Sequence, residues 1–216
     1  MTDLLPPLPL FEIFLAASFA LAVTPGPGVL YIVTRSISQG RMAGLASVAG
    51  VALGNFGNAL GASLGLAALF AISHMAFMLV KYLGALYLLY IGIKTIRSAK
   101  TAKTDDATTF AAKSPKSIFM DGFIVALFNP KTTLFFAAFL PQFIQADYPP
   151  VLQSTTLGAI FVLIAATTDT CYALLANVVR PFFAGKKHAG AMGKYISGGT
   201  FIGLGLLTAL SGQRRK

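Results

Sequence analysis

Long apolar stretches separated by short polar ones dominate the chain. They run roughly from Leu10 to Val33, Ala43 to Ile72, Phe77 to Ile96, Ile118 to Ile144, Val151 to Val179 and Tyr195 to Leu210. Spanning a bilayer takes about 20 apolar residues in a helix, and these runs are too long for ordinary core helices. The pattern predicts an all-α integral membrane protein with six transmembrane helices. The cluster Pro6, Pro7 and Pro9 delays the first helix to about Leu10. No basic side chain precedes that stretch, and Asp3 stands there instead, so it does not read as a cleavable signal. Two stretches are interrupted where the apolar pattern would continue a helix: Pro25-Gly26-Pro27 in the first and Asn129-Pro130 in the fourth. Proline lacks the donor that closes the helical ladder and clashes with the preceding turn, and glycine loses the most backbone entropy.

The polar residues between the stretches fix an expected orientation. Arg35 and Arg41 follow the first stretch. Lys94, Arg97, Lys100, Lys103, Lys113 and Lys116 surround the connection between the third and fourth, and Arg180, Lys186, Lys187 and Lys194 lie between the fifth and sixth. The connections Ser73 to Ala76 and Gln145 to Pro150 hold no lysine or arginine. Basic loops stay in the cytoplasm, which places both termini outside, with Arg214, Arg215 and Lys216 as the exception to the rule. The expected location is the bacterial inner membrane, multi-pass, with the long basic linker cytoplasmic.

Composition agrees. Of 216 residues, 56% are hydrophobic and 11% charged, against about 25% charged in soluble domains. The net charge of +10 is spread over loops rather than along one face, which argues for membrane topology and against nucleic acid. Cys171 is the single cysteine, and His74 and His188 lie outside or at the ends of apolar runs, so no disulfide, redox pair, metal cluster or cofactor is expected.

The polar stretch Ser98 to Lys116 divides the chain into a first transmembrane half, residues 1–97, a linker, 98–116, and a second half, 117–216. Three spans per half is an odd number, so the second half enters the membrane with opposite orientation. That is the arithmetic of two inverted three-helix repeats, with helices one and four broken. Interruptions at matching places in two halves point to a transport site.

Broken helices in lipid need partners for their freed backbone groups. Thr24 and Asn129 stand beside the breaks to supply hydrogen bonds, and the opened turns offer N–H groups to a carboxylate and carbonyls to an ammonium. The alternative is a pair of kinks that only shape packing. Asp169 is the clearest intramembrane acid, and an ionised carboxylate at that depth must face a cavity, pair, or take up a proton. It is the candidate for proton coupling or for holding a substrate ammonium, against a structural hydrogen bond to a neighbouring helix. Lys131 either partners Asp169 or snorkels to the interface. Asp121 and Glu12 lie near span ends, where water reaches them. Asn55 and Asn58 line a pathway or pin two helices together. Gly50, Gly54, Gly57, Gly61 and Gly65, and again Gly199 and Gly203, form small-residue faces for close helix packing. Tyr82, Tyr87 and Tyr90 suit either an interfacial belt or the bundle.

The segment VTPGPGVLYIVTRSISQGRMAGLASVAGVALG, Val23 to Gly54, resembles the signature of the lysine exporter (LysE/RhtB) family of bacterial inner-membrane amino-acid efflux proteins. FMDGFIVALFNPKTTLFFAAFLPQF, Phe119 to Phe143, is similar to the same family's second-half blocks. The resemblance covers nearly the whole chain. It implies export of amino acids or derivatives such as homoserine, threonine, homoserine lactone or lysine, driven by proton exchange. By position it assigns the motif residues Pro25, Gly26, Pro27, Asn129, Pro130 and Lys131. Many members carry an acid after Pro-Gly-Pro; Gly28 stands here, which shifts weight to Asp169. The expected partners are a small polar metabolite and membrane lipid, with self-association open. A channel-like or structural protein, or a membrane-embedded enzyme, is the competing class, and the thin inventory of nucleophiles and metal ligands disfavours the enzyme.

Overall fold

The computed structural model describes residues 5–64, 74–100, 114–145 and 147–184, with 195, 198–199, 201–203, 205–206 and 209–210 beyond them. Every regular element among them is helical. The first apolar stretch forms α1, Leu8–Val23, and α2, Pro27–Gln39, bent by 47° at the break between them. Helix α1 begins at Leu8 rather than Leu10, because Pro7 serves as its N-cap and Pro9 falls in the first turn, where no donor is needed. Helix α2 runs past the apolar stretch, so Arg35 is helical and buried instead of sitting in a loop. It stops at Gly40, whose φ of 87° a side chain would strain.

Helix α3, Arg41–Ser63, follows at once; the end of the second apolar stretch lies outside the described residues. Helix α4, His74–Lys100, absorbs the start of the expected linker, and α5, Pro115–Leu127, absorbs its end. Ser114 caps α5 by accepting from the Ser117 N–H at 3.3 Å. The linker between them, 101–113, lies outside the described residues, as do His188, Lys186, Lys187, Lys194 and the basic C-terminus. After the second break come α6, Pro130–Leu134, a wide π turn, Phe135–Phe139, and a tight 3-10 turn, Leu140–Phe143. Pro141 cannot donate to the ladder, which accounts for the changed winding there. Helix α7 spans Pro150–Ala184 and carries Arg180 within it.

Two helices are long and apolar enough to cross a membrane alone, Arg41–Ser63 and most of α7. Each bent pair counts as one more, giving up to four among the described residues. Outward-facing Ile13, Phe19, Leu86, Leu163 and Val178 are all more than half exposed, an apolar surface that a soluble monomer avoids.

Glycines set the closest packing. A Cβ on Gly54 would lie 2.5 Å from the Phe123 carbonyl oxygen and 2.7 Å from Ala126 Cβ, and one on Gly50 would collide with the Phe119 carbonyl. Helices α3 and α5 therefore touch backbone to backbone, with Gly122 meeting the Ser47 carbonyl from the other side. In the last apolar stretch, Gly199 and Gly203 meet no described atom within 4 Å; Gly198 and Gly205 pack on α4 instead, against Gly92 and Ala85. At one end of the bundle Phe14, Phe136, Phe143 and Phe161 form a buried aromatic cluster, with Phe14 and Phe143 ring centroids 5.3 Å apart.

Candidate functional site

At the first break, helix α1 ends with carbonyls that have no continuing ladder. Ala20 O accepts from Thr24 N–H at 3.1 Å and from Thr24 Oγ1 at 2.7 Å. The Tyr172 hydroxyl, from α7, donates to Val23 O at 2.7 Å. Lys131, from the second break, donates through Nζ to Leu21 O at 2.6 Å and also to Thr24 O. A cation at a helix C-terminus is favoured by the helix dipole as well as by these bonds. The ammonium expected at the opened carbonyls is thus supplied by the protein itself. The Lys131 ammonium turns to these carbonyls and closes no direct ion pair with Asp169, whereas Arg35 and Asp121 do form an ion pair.

The second break is held by Asn129, whose side-chain oxygen accepts from the Lys131 backbone N–H at 3.1 Å. Its own carbonyl takes Thr133 N–H and Thr133 Oγ1, each at 3.0 Å. Pro130 starts α6 as Pro27 starts α2, each one residue after a cap, where a missing N–H costs nothing.

Between the breaks lies a cavity of about 30 Å³. That holds roughly two waters and is too small for an amino acid. Gly26, Gly28, Asn55, Asn129, Lys131 and Asp169 all line it. Helix α2 has no side-chain cap, which leaves the N–H groups of Gly28 and Val29 without partners inside the helix. Asn55 is 6% exposed and its Oδ1 is buried with no partner. Asp169 is 4% exposed and no described group donates to its carboxylate. The cavity so combines an anion-binding helix end and a cation with a carboxylate and the amide of Asn55.

The other expected residues stand elsewhere. Thr24 and Pro25 are exposed at the break, and Pro27 and Pro130 shape their helices without lining the cavity. Asn58 is a pin: its Nδ2 donates to Ala126 O at 2.9 Å, joining α3 to α5. Sequence reading missed the apolar wall, Leu21, Ala22, Val29, Val51, Phe161 and Ala165, although Phe161, Ala165 and Asp169 recur at intervals of four on one face of α7. It also missed a second polar cluster. Arg35 Nη2 reaches Asp121 Oδ2 at 3.3 Å, the Tyr87 hydroxyl donates to Asp121 Oδ1 at 3.1 Å, and the Arg35 guanidinium lies 5.2 Å from the Tyr31 ring centre. Asp121 is therefore a packed partner and not a water-exposed span end, and Tyr87 belongs to the bundle, whereas Tyr82 and Tyr90 face outward.

Comparison with known proteins fits this architecture. The chain is 33% identical over 196 residues to a homoserine/homoserine lactone efflux protein of Salmonella typhimurium strain LT2, covering 91% of this chain and 94% of that one. It is 30% identical over 201 residues to a leucine efflux protein of Salmonella choleraesuis strain SC-B67, covering 88% and 90%. No solved structure gives a significant match. The family description "LysE type translocator" matches residues 19–212. With nearly the whole chain matched, this multi-pass membrane protein belongs to the LysE type translocator family.

Proposed function

We propose that the protein is a secondary exporter of amino acids or their derivatives, working by alternating access to the cavity between its two helix breaks. The observation that carries this reading is the cavity's pairing of charges. The free N–H groups at the start of α2 and the Lys131 ammonium suit a substrate carboxylate; the Asp169 carboxylate suits its ammonium. The efflux activities named for the relatives support the same substrate class. In this reading Asp169 exchanges the substrate ammonium for a proton, which couples export to the proton gradient. The cavity is too small for an amino acid, so its walls must part before a substrate binds, as in alternating access.

The same reading keeps six spans in two inverted halves. It is supported by the matching cap-and-proline restarts at Gly26-Pro27 and Asn129-Pro130, and by α3 packing on α5 while α2 packs on α7. One end of the bundle collects Arg41, Lys116 and Arg180, with Arg180 over Gly40; the other joins Leu5 to Gln145 and Ser63 to Thr155. The basic end is assigned to the cytoplasm of a bacterial inner membrane.

The test is counterflow in proteoliposomes and efflux from expressing cells, with homoserine, homoserine lactone, threonine, leucine and lysine as the panel. A channel moves substrate without counterflow, and an enzyme consumes it, so either result replaces the reading. Asp169→Asn should remain in the membrane and keep exchange of one substrate molecule for another, while losing accumulation driven by a pH gradient. Full gradient-driven transport in that variant removes Asp169 from the coupling step.

A further inference from the structure

An unwound helix end in a membrane offers its carbonyls to a cation. Here the offer is already taken. Lys131 crosses from α6 to the end of α1, where its Nζ donates to the carbonyls of Leu21 and Thr24. The stem passes close over the first break: a Cβ on Gly26 would lie 3.2 Å from Lys131 Cδ. The lysine forms part of the cavity wall, on the same small volume as Asp169 and Asn55. The wall consequently carries one ionisable group of each sign. A zwitterion leaves this pair balanced. A substrate with a second ammonium adds a positive charge with no counter-ion, in a space that leaves room for little water.

We propose that Lys131 is the specificity-determining residue of the cavity: its tethered ammonium fills the cation position and restricts the substrate to amino acids and derivatives without a positive side chain. The rest of the wall agrees, because Leu21, Ala22, Val51, Phe161 and Ala165 are apolar and Gly28 brings no carboxylate that could receive a second cation. A Cβ at position 28 would already press on Val51 Cγ1 at 3.3 Å, so the wall has little room for an acid there without rearrangement. Two like charges about 5 Å apart at an effective dielectric near 20 disfavour the cationic substrate on the order of 100-fold.

This inference rests on the exporter reading, and the experiment separates the two. Wild-type proteoliposomes are assayed for counterflow of labelled leucine and labelled homoserine, with lysine and norleucine as competitors; their side chains differ by the terminal ammonium. Norleucine should compete, and lysine should be at least about tenfold weaker. Lys131→Arg should keep the gap and Lys131→Gln should close it, with lysine gaining. If Lys131→Gln fails to fold, Lys131→Met, which removes the ammonium and keeps the apolar stem, must narrow the gap instead. Equal competition by lysine and norleucine in the wild type overturns the proposal, as does an active Lys131→Gln with the gap unchanged. Movement of neither label in the wild type overturns the exporter reading, and the proposal falls with it.

Discussion

Replacing Asp121 with asparagine is expected to destabilise the protein without touching the cavity. Arg35 and Asp121 are 6% and 14% exposed and 3.3 Å apart, so both charges are largely removed from water. At that separation, an effective dielectric near 20 gives an attraction of about 5 kcal/mol, most of which offsets the cost of desolvating the pair. The pair therefore adds little net stability relative to an apolar replacement of the same shape. Removing one partner is a different matter, because the other charge stays buried. Arg35 Nε already lacks a hydrogen-bond partner, and a neutral amide in place of the Asp121 carboxylate would take away the counter-charge now 3.3 Å from the guanidinium. The expected loss is about 3–5 kcal/mol.

For a chain of this size that corresponds to a fall in Tm on the order of 10 °C, readable by thermal unfolding of the purified protein in detergent. Arg35→Met should cost a similar amount, and the double variant Arg35→Met with Asp121→Leu should recover most of it, because no charge is stranded. The coupling in this double-mutant cycle is the decisive quantity. Single variants within about 1 °C of wild type, or losses that simply add in the double variant, refute the argument that the pair is buried and mutually dependent. Tyr87→Phe serves as a scale: it removes a single hydrogen bond to the carboxylate and should cost about 1–2 kcal/mol.

Gly54→Val places branched carbon against the Phe123 carbonyl and Ala126, and should cost at least about 1–3 kcal/mol or prevent folding, seen as lost membrane expression. Gly199→Val, at a position that meets no described atom within 4 Å, should express at the wild-type level in the same blot. Asn58→Ala should lower thermal stability by about 1 kcal/mol while counterflow is retained, because it removes the pin to Ala126 O. Asn55→Leu should show the reverse, with stability unchanged or raised and counterflow lost, because its buried Oδ1 has no partner to lose and the residue lines the cavity. Equal behaviour of the two asparagine variants in both assays would dismiss the distinction between pin and cavity wall.

What the chain discloses on its own is where polarity has to be compensated, and what it conceals is the compensating partner. The breaks at Pro25-Gly26-Pro27 and Asn129-Pro130 are legible because each proline removes a local donor, and the structure restarts a helix at both. Asp169 is legible because a carboxylate inside an apolar run stands out whatever surrounds it. Which groups answer these signals is tertiary. Lys131 finds carbonyls 107 and 110 residues away, and Arg35 finds Asp121 at a separation of 86. Arg35 reads as a loop cation because it closes an apolar run; only the continuation of α2 to Gln39 buries it. Direction around a helix is concealed for the same reason. Asn55 and Asn58 are three residues apart, yet one turns to the cavity and the other to the α5 backbone. Gly199 and Gly203 have the packing spacing, but the neighbouring helix lies on the face of Gly198 and Gly205. A glycine pattern marks a surface that permits close approach, and the partner selects which face is used. The lysine at position 131 is the sharpest case: a charge that sequence alone allows to snorkel becomes, once the two breaks are brought together, the cation that fills the opened helix end.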